Sequence, residues 1–118
     1  MPKQQTSRTA QDPLVTEFLQ AMAADRGLAA NSIAAYEGDL ASCLEGLSKA
    51  GRHFDSCDAD DLRGLLVEWK VGGLAARSVA RRLSAVRQMM AWLVEEQVRP
   101  DNPCRWIDNP KQPAALPK

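Results

Sequence analysis

The stretch ARSVARRLSAVRQMMAWLVEE, residues 76–96, decides how this chain is read. Val79, Leu83, Val86, Met90 and Leu93 recur at alternating steps of four and three, which puts them on one face of an α-helix. Neither proline nor glycine interrupts the run, although Ala75 is a poor N-cap. Its polar residues carry the second message. Arg77, Arg81, Arg82 and Arg87 follow one another with no acid before Glu95.

The same periodicity defines three more helices. Asp58 caps a helix over about 58–70, with Asp61 at the third position of a short capping box and Leu62, Leu65, Leu66 and Trp69 as its buried face. Gly72-Gly73 stops it. Before that, Ile33, Tyr36, Leu40, Leu44 and Leu47 form one stripe on a helix over about 31–50, ended by Gly51. Asp12-Pro13 opens the first helix, about 13–26, whose face is Val15, Phe18, Leu19 and Met22 and whose terminator is Gly27. In chain order these are helices one to four.

Residues 1–11 read as a polar, flexible arm. Five of the seven prolines fall between Pro100 and Pro117, so the tail is no long helix. The sequence predicts a short turn around 103–108, with Trp106 and Ile107 docked on the bundle, then a linker over 109–118 leading towards something further. The domain proper spans 12–108. With 118 residues, 45% hydrophobic and 25% charged, the chain holds one domain with a modest core. Few aromatic and β-branched residues, against much Ala and Leu, lean towards an all-α, compact four-helix bundle.

The remaining composition excludes more than it selects. No apolar run approaches a membrane span, and the polar N-terminus is no signal peptide. Cys43, Cys57 and Cys104 at unpatterned spacings suit free thiols in a reducing cytoplasm. His53 and Cys57 do not make a metal site, and His53 reads as a loop residue in water. Asp55, Asp58, Asp60 and Asp61 read as helix-capping and solvated acids. No nucleotide, metal or nucleophile motif is present, so the sequence predicts no catalytic residues, metal, cofactor or small-molecule substrate.

With Val79 at the centre of helix four's apolar stripe, Arg77, Arg81, Ser84 and Gln88 fall at about 160°, −160°, 140° and 180°, opposite the core. Arg82 and Arg87 flank the stripe, where their stems can cover it. Solvated helix faces normally mix charges of both signs, and this one does not. Guanidinium donors separated by short polar side chains suit phosphate and base-edge contacts in a major groove. On helix two, Asn31, Ala35, Gly38 and Ser42 lie opposite the stripe, a small-residue face that could approach a backbone. Plain solvation or a protein partner would also account for both faces.

The order of FLQAMAADRGLAANSIAAYEGDL (18–40), GGLAARSVARRLSAVRQMMAWL (72–93) and DNPCRWIDNPKQPAALPK (101–118) resembles the N-terminal core-binding domain of tyrosine recombinases, the phage-integrase and Xer-type family, nearest its XerD-like branch. The resemblance implies a SAM-like orthogonal bundle forming half of a clamp around DNA, with helices two and four facing the major groove of a recombination half-site. It implies a helix-four contact set of Arg77, Ser78, Arg81, Arg82, Ser84 and Arg87, and a helix-two set beginning with Asn31 and Ser32; the wheel adds Gln88. Implied partners are double-stranded DNA and other recombinase protomers on it, with no membrane. The catalytic domain would follow Lys118, so this polypeptide alone is expected to cut nothing. Tyr36 matches a structural or DNA-proximal tyrosine of the family and is not the nucleophile.

Two departures from the family stand out. Glu37 and Gly38 replace basic residues, which is expected to weaken phosphate binding by helix two. Cys43 and Gly46 replace an aromatic residue and a Trp, which predicts loose packing at that helix's end. The alternative reading is a helical protein-interaction module. An exposed apolar patch at Trp92, about 140° from the stripe's centre, or at Trp106 would favour it.

Overall fold

The computed structural model describes residues 12–108; the predicted arm (1–11) and linker (109–118) lie outside that range. Four helices follow in order: α1 Pro13–Asp25, α2 Ala30–Lys49, α3 Ala59–Val71 and α4 Ala76–Glu95. A 3-10 helix, Pro103–Trp106, closes the domain. No strand occurs among the described residues. The all-α bundle agrees with the sequence reading, and the ends of the four helices lie within a residue of those read from the sequence.

The caps explain much of that agreement. The Asp12 carboxylate accepts from the Val15 amide at 3.2 Å, and Pro13 occupies the first turn of α1. Asp58 and Asp61 exchange side-chain to backbone bonds at 2.9 Å each, a complete capping box for α3. The bond from the Asp61 amide holds the exposed Asp58 carboxyl below its usual pKa. By contrast, α2 and α4 start at Ala29 and Ala75 with no side-chain cap. Tertiary packing has to hold both ends.

α4 is the hub. It packs against α1, α2, α3 and the 3-10 helix, and its buried set of Val79, Leu83, Ala85, Val86, Met89, Met90, Trp92 and Leu93 is wider than one amphipathic stripe. Trp92, which the helical wheel turned towards solvent, is 9% exposed and stands edge-on to Phe18 of α1 at 5.8 Å. A helix with neighbours on several sides buries residues that a single-stripe wheel assigns to water. Leu66 and Trp69 of α3 are half-buried, as are Ile33 and Tyr36 of α2.

Three further expectations are corrected. The end of α2 is closely packed: Cys43 is fully buried, and a Cβ built on Gly46 would overlap the Leu65 side chain of α3. A residue without a Cβ lets the two helices approach there. His53 is half-buried, with its Nε2 2.7 Å from the Asp12 carboxylate, so it pins the α2–α3 loop to the start of α1. Beside it Phe54 and Cys57 are wholly buried, core residues that helical periodicity could not reveal in a loop. Finally, Ile107 docks as expected but Trp106 is 69% exposed.

The chain after α4 is fastened by arginines. Arg99 is buried; its Nη1 donates to the Phe54 carbonyl at 2.8 Å, and its other nitrogens reach Asp101. Arg63 of α3 donates to the Trp106 carbonyl at 2.9 Å. Charge-assisted bonds to carbonyls supply donors that a short irregular segment cannot provide for itself.

Candidate nucleic-acid interface

α2 and α4 form the most extensive helix pair, and the predicted site residues lie along it. The contacts that cross it run Tyr36 to Gln88 and Asp39 to Arg81, so the helices lie antiparallel. In the outer row of α4, Arg77, Arg81 and Ser84 are exposed as the wheel predicts, but Gln88, which the wheel put directly opposite the core, is half-buried, as are Arg82, Arg87 and Ser78. On α2, Asn31, Ala35 and Gly38 are exposed, whereas Ser42, the fourth residue of the predicted small-residue face, is half-buried. Asn31 and Ser32 sit inside the uncapped first turn, both exposed.

What each side chain does is less uniform. Arg81 makes a two-point pair with Asp39 of α2, Nε to Oδ2 and Nη2 to Oδ1, both at 2.9 Å. The Arg81 side chain is 57% exposed, whereas Asp39 is only 3% exposed. The carboxylate's hydrogen bond and charge together raise the Arg81 pKa above its ordinary value. Arg82 Nε lies 4.0 Å from the same carboxylate, and its guanidinium stacks 5.2 Å from the Trp69 ring centroid. That Nε is buried and has no hydrogen-bond partner among the described residues.

Two predicted contact residues are engaged internally. Arg87 donates from Nη1 to the Cys104 carbonyl at 3.2 Å and from Nη2 to the Ile107 carbonyl at 2.6 Å. Gln88 donates to the Tyr36 hydroxyl at 2.6 Å, which gives that tyrosine its structural place. The freest predicted donors are Arg77, Ser84, Asn31 and Ser32.

On sequence alone the arginine run makes a face of one sign. α2 supplies the missing acid across the interface. Glu37 is a different case: it lines a shallow groove with Thr16, Leu19, Gln20, Ala23 and Ile33, on the α1 side. On a wheel centred at Leu40, Glu37 and Asp39 fall about 60° and 100° away on opposite flanks. That placement was the available signal for Asp39, an acid bordering the stripe beside Tyr36 and Cys43.

Residues 15–97 match the family model of the phage integrase N-terminal SAM-like domain. The chain belongs to that family. This integrase domain is 43% identical over 101 residues to the tyrosine recombinase XerD of Agrobacterium fabrum, covering 86% of this chain and 30% of the relative. XerD of Rhizobium meliloti is 42% identical over 104 residues, covering 88% of this chain and 33% of the relative. XerD of Yersinia pestis is 36% identical over 107 residues, covering 91% and 36% respectively. The integrase domain thus spans about a third of the length of the curated relatives it matches. No solved structure matches.

The relatives it matches are named tyrosine recombinases. Among the described residues no helix is long and apolar enough to cross a membrane. Burial raises the pKa of all three cysteines, Cys104 to about 11 and Cys43 further still. They are filling groups of the core at neutral pH.

Proposed function

We propose that this domain binds double-stranded DNA through the open face of the α2–α4 pair, as half of a clamp on a recombination half-site. One observation carries the reading: Arg77, Arg81 and Ser84 stand exposed in one row of α4, beside the exposed Asn31, Ala35 and Gly38 of α2. Arg77 and Ser84 are phosphate contacts, Arg81 a third at a set angle, and Asn31 and Ser32 reach the duplex from the start of α2. Ser78 and Arg82 border the contact. Arg87 and Gln88 support it from within, since their donors are spent on carbonyls and on Tyr36. The domain cuts nothing by itself; cleavage belongs to the part of the recombinase beyond it, and further protomers join on the DNA. The work is cytoplasmic.

Titrating the chain with duplex DNA at two salt concentrations, followed by backbone amide NMR, tests the surface. The expected shifts cluster on residues 76–88 and 30–38 and fade with salt. Affinity for random duplex is expected at about 10–100 μM at physiological salt, the range of non-specific phosphate contacts. Arg77→Ala should weaken binding to every sequence and reduce the logarithmic salt slope by about one. Shifts confined to residues 100–108 would reject the surface.

One observation favours a second reading, a protein-interaction module: Trp106 is 69% exposed at the chain's exit. A dimer that forms with concentration in the absence of DNA, and disappears in Trp106→Ala, would support it.

A further inference from the structure

Asp39 is the one acid at less than a tenth exposure among the described residues, and its carboxylate is bonded to Arg81, in the row that the proposed function assigns to a polyanion. A carboxylate there repels phosphate, and burying it costs solvation. Its bonds offer a reason for its position. The two-point bond takes Nε and one edge of Nη2 of Arg81, leaving Nη1 and the other Nη2 hydrogen directed away from Asp39. Arg82, 4.0 Å away and stacked on Trp69, flanks the same carboxylate. Two guanidinium groups share one carboxylate, so the cluster keeps a net charge of about +1 if all three groups are ionised.

We infer that Asp39 is a positioning residue of the DNA face: it locks Arg81 into one plane across the α2–α4 seam, so that Arg81 offers a phosphate a fixed pair of donors instead of a mobile charge. The inference rests on the proposed DNA-binding function. An unpaired arginine loses side-chain freedom when it binds, and one already held loses less. The same bond subtracts charge and so lowers affinity for DNA that cannot meet the fixed geometry. Without Arg81, Asp39 would present an under-compensated negative charge to the duplex.

A double-mutant cycle on the 118-residue chain tests this, with a random-sequence duplex of about 24 base pairs as the probe and salt slope as a second readout. Asp39→Asn should bind that duplex about threefold more tightly and steepen the salt slope by about one. Arg81→Ala should weaken binding about tenfold, and the double variant should recover to within about threefold of the unaltered chain. Asp39→Asn should also lose the exchange protection of the Arg81 Nε–Hε NMR resonance, and Arg81→Lys, which keeps charge but not the two-point bond, should fall measurably below the unaltered chain. That variant also decides the matter if Asp39→Asn does not fold.

The inference is overturned if the double variant is as weak as Arg81→Ala, or if Arg81→Lys binds like the parent. Either result leaves the DNA-binding reading intact provided that Arg77→Ala still weakens binding. If the unaltered chain shows no salt-dependent binding, the inference falls together with the function beneath it.

Discussion

Arg81 and Arg87 lie six residues apart on α4, and the fold gives them opposite uses. Arg81 sits where α2 and α4 open to solvent, fixed at its base by one carboxylate, with donors still facing out. Arg87 sits at the closed end, where both terminal nitrogens are bonded to carbonyls of the segment leaving the domain. The same side chain is a surface feature in one region and a structural fastening in the other. The difference is set by the neighbours. A carboxylate partner leaves some of the guanidinium fork unused, whereas two carbonyls at the chain's exit draw the fork inward. α2 carries a contrast of its own: Gly38 has nothing within 4 Å of a would-be Cβ, and Gly46 has Leu65 of α3 against it.

Arg87→Ala should have the largest effect. Losing two charge-assisted bonds, with two carbonyls left short of donors, should cost about 1.5–3 kcal/mol of stability. It should leave the logarithmic salt slope of DNA binding unchanged once the protein is folded, as urea denaturation and salt titration would reveal. A slope reduced by about one would instead place Arg87 on the duplex with Arg77.

The two glycines sharpen it further, with opposite signs. Gly46→Ala should destabilise by about 1 kcal/mol, because overpacking a helix contact outweighs the helix-propensity gain. Gly38→Ala should stabilise by about 0.5–1 kcal/mol, since its space is open. Its stabilised product should nonetheless bind DNA more weakly if the duplex backbone passes close to that face. Equal shifts in the urea midpoint for both substitutions would erase the distinction between the two glycines of α2.

The smallest effect concerns the buried thiols. Cys104 has its pKa raised by burial from 9.0 to about 11. A raised folded-state pKa means that the contribution is complete below pH 9 and fades as pH climbs towards 11, because only the unfolded chain ionises readily in that window. Thiol-reactive dye should therefore label the folded chain slowly at pH 8 and rapidly in urea. Fast labelling of the native chain would mean that the closed end opens far more often than its packing implies.

These contrasts separate what could be read directly from what could not. The four helices were legible because Asp12, Asp58, the terminating glycines and the 3.6-residue apolar spacing act through near neighbours in sequence. Gln88 and Arg87 were legible as polar positions on a wheel, but their bonding was not, since Tyr36 lies 52 residues from Gln88 and Ile107 lies 20 from Arg87. Phe54 entered the core from a loop, where no period exists to mark it.

The sequence by itself determined the elements, the outward direction of Arg77, Arg81 and Ser84, and the family. Only the tertiary structure decided which flank of α2 meets α4, and hence that Asp39, not Glu37, is the acid beside the arginines. The physical reason is one of range. Helical geometry fixes the angle of each side chain around its own axis from local bonds alone. Which neighbour occupies that angle depends on how four apolar faces share one core, and that is settled by the whole chain at once.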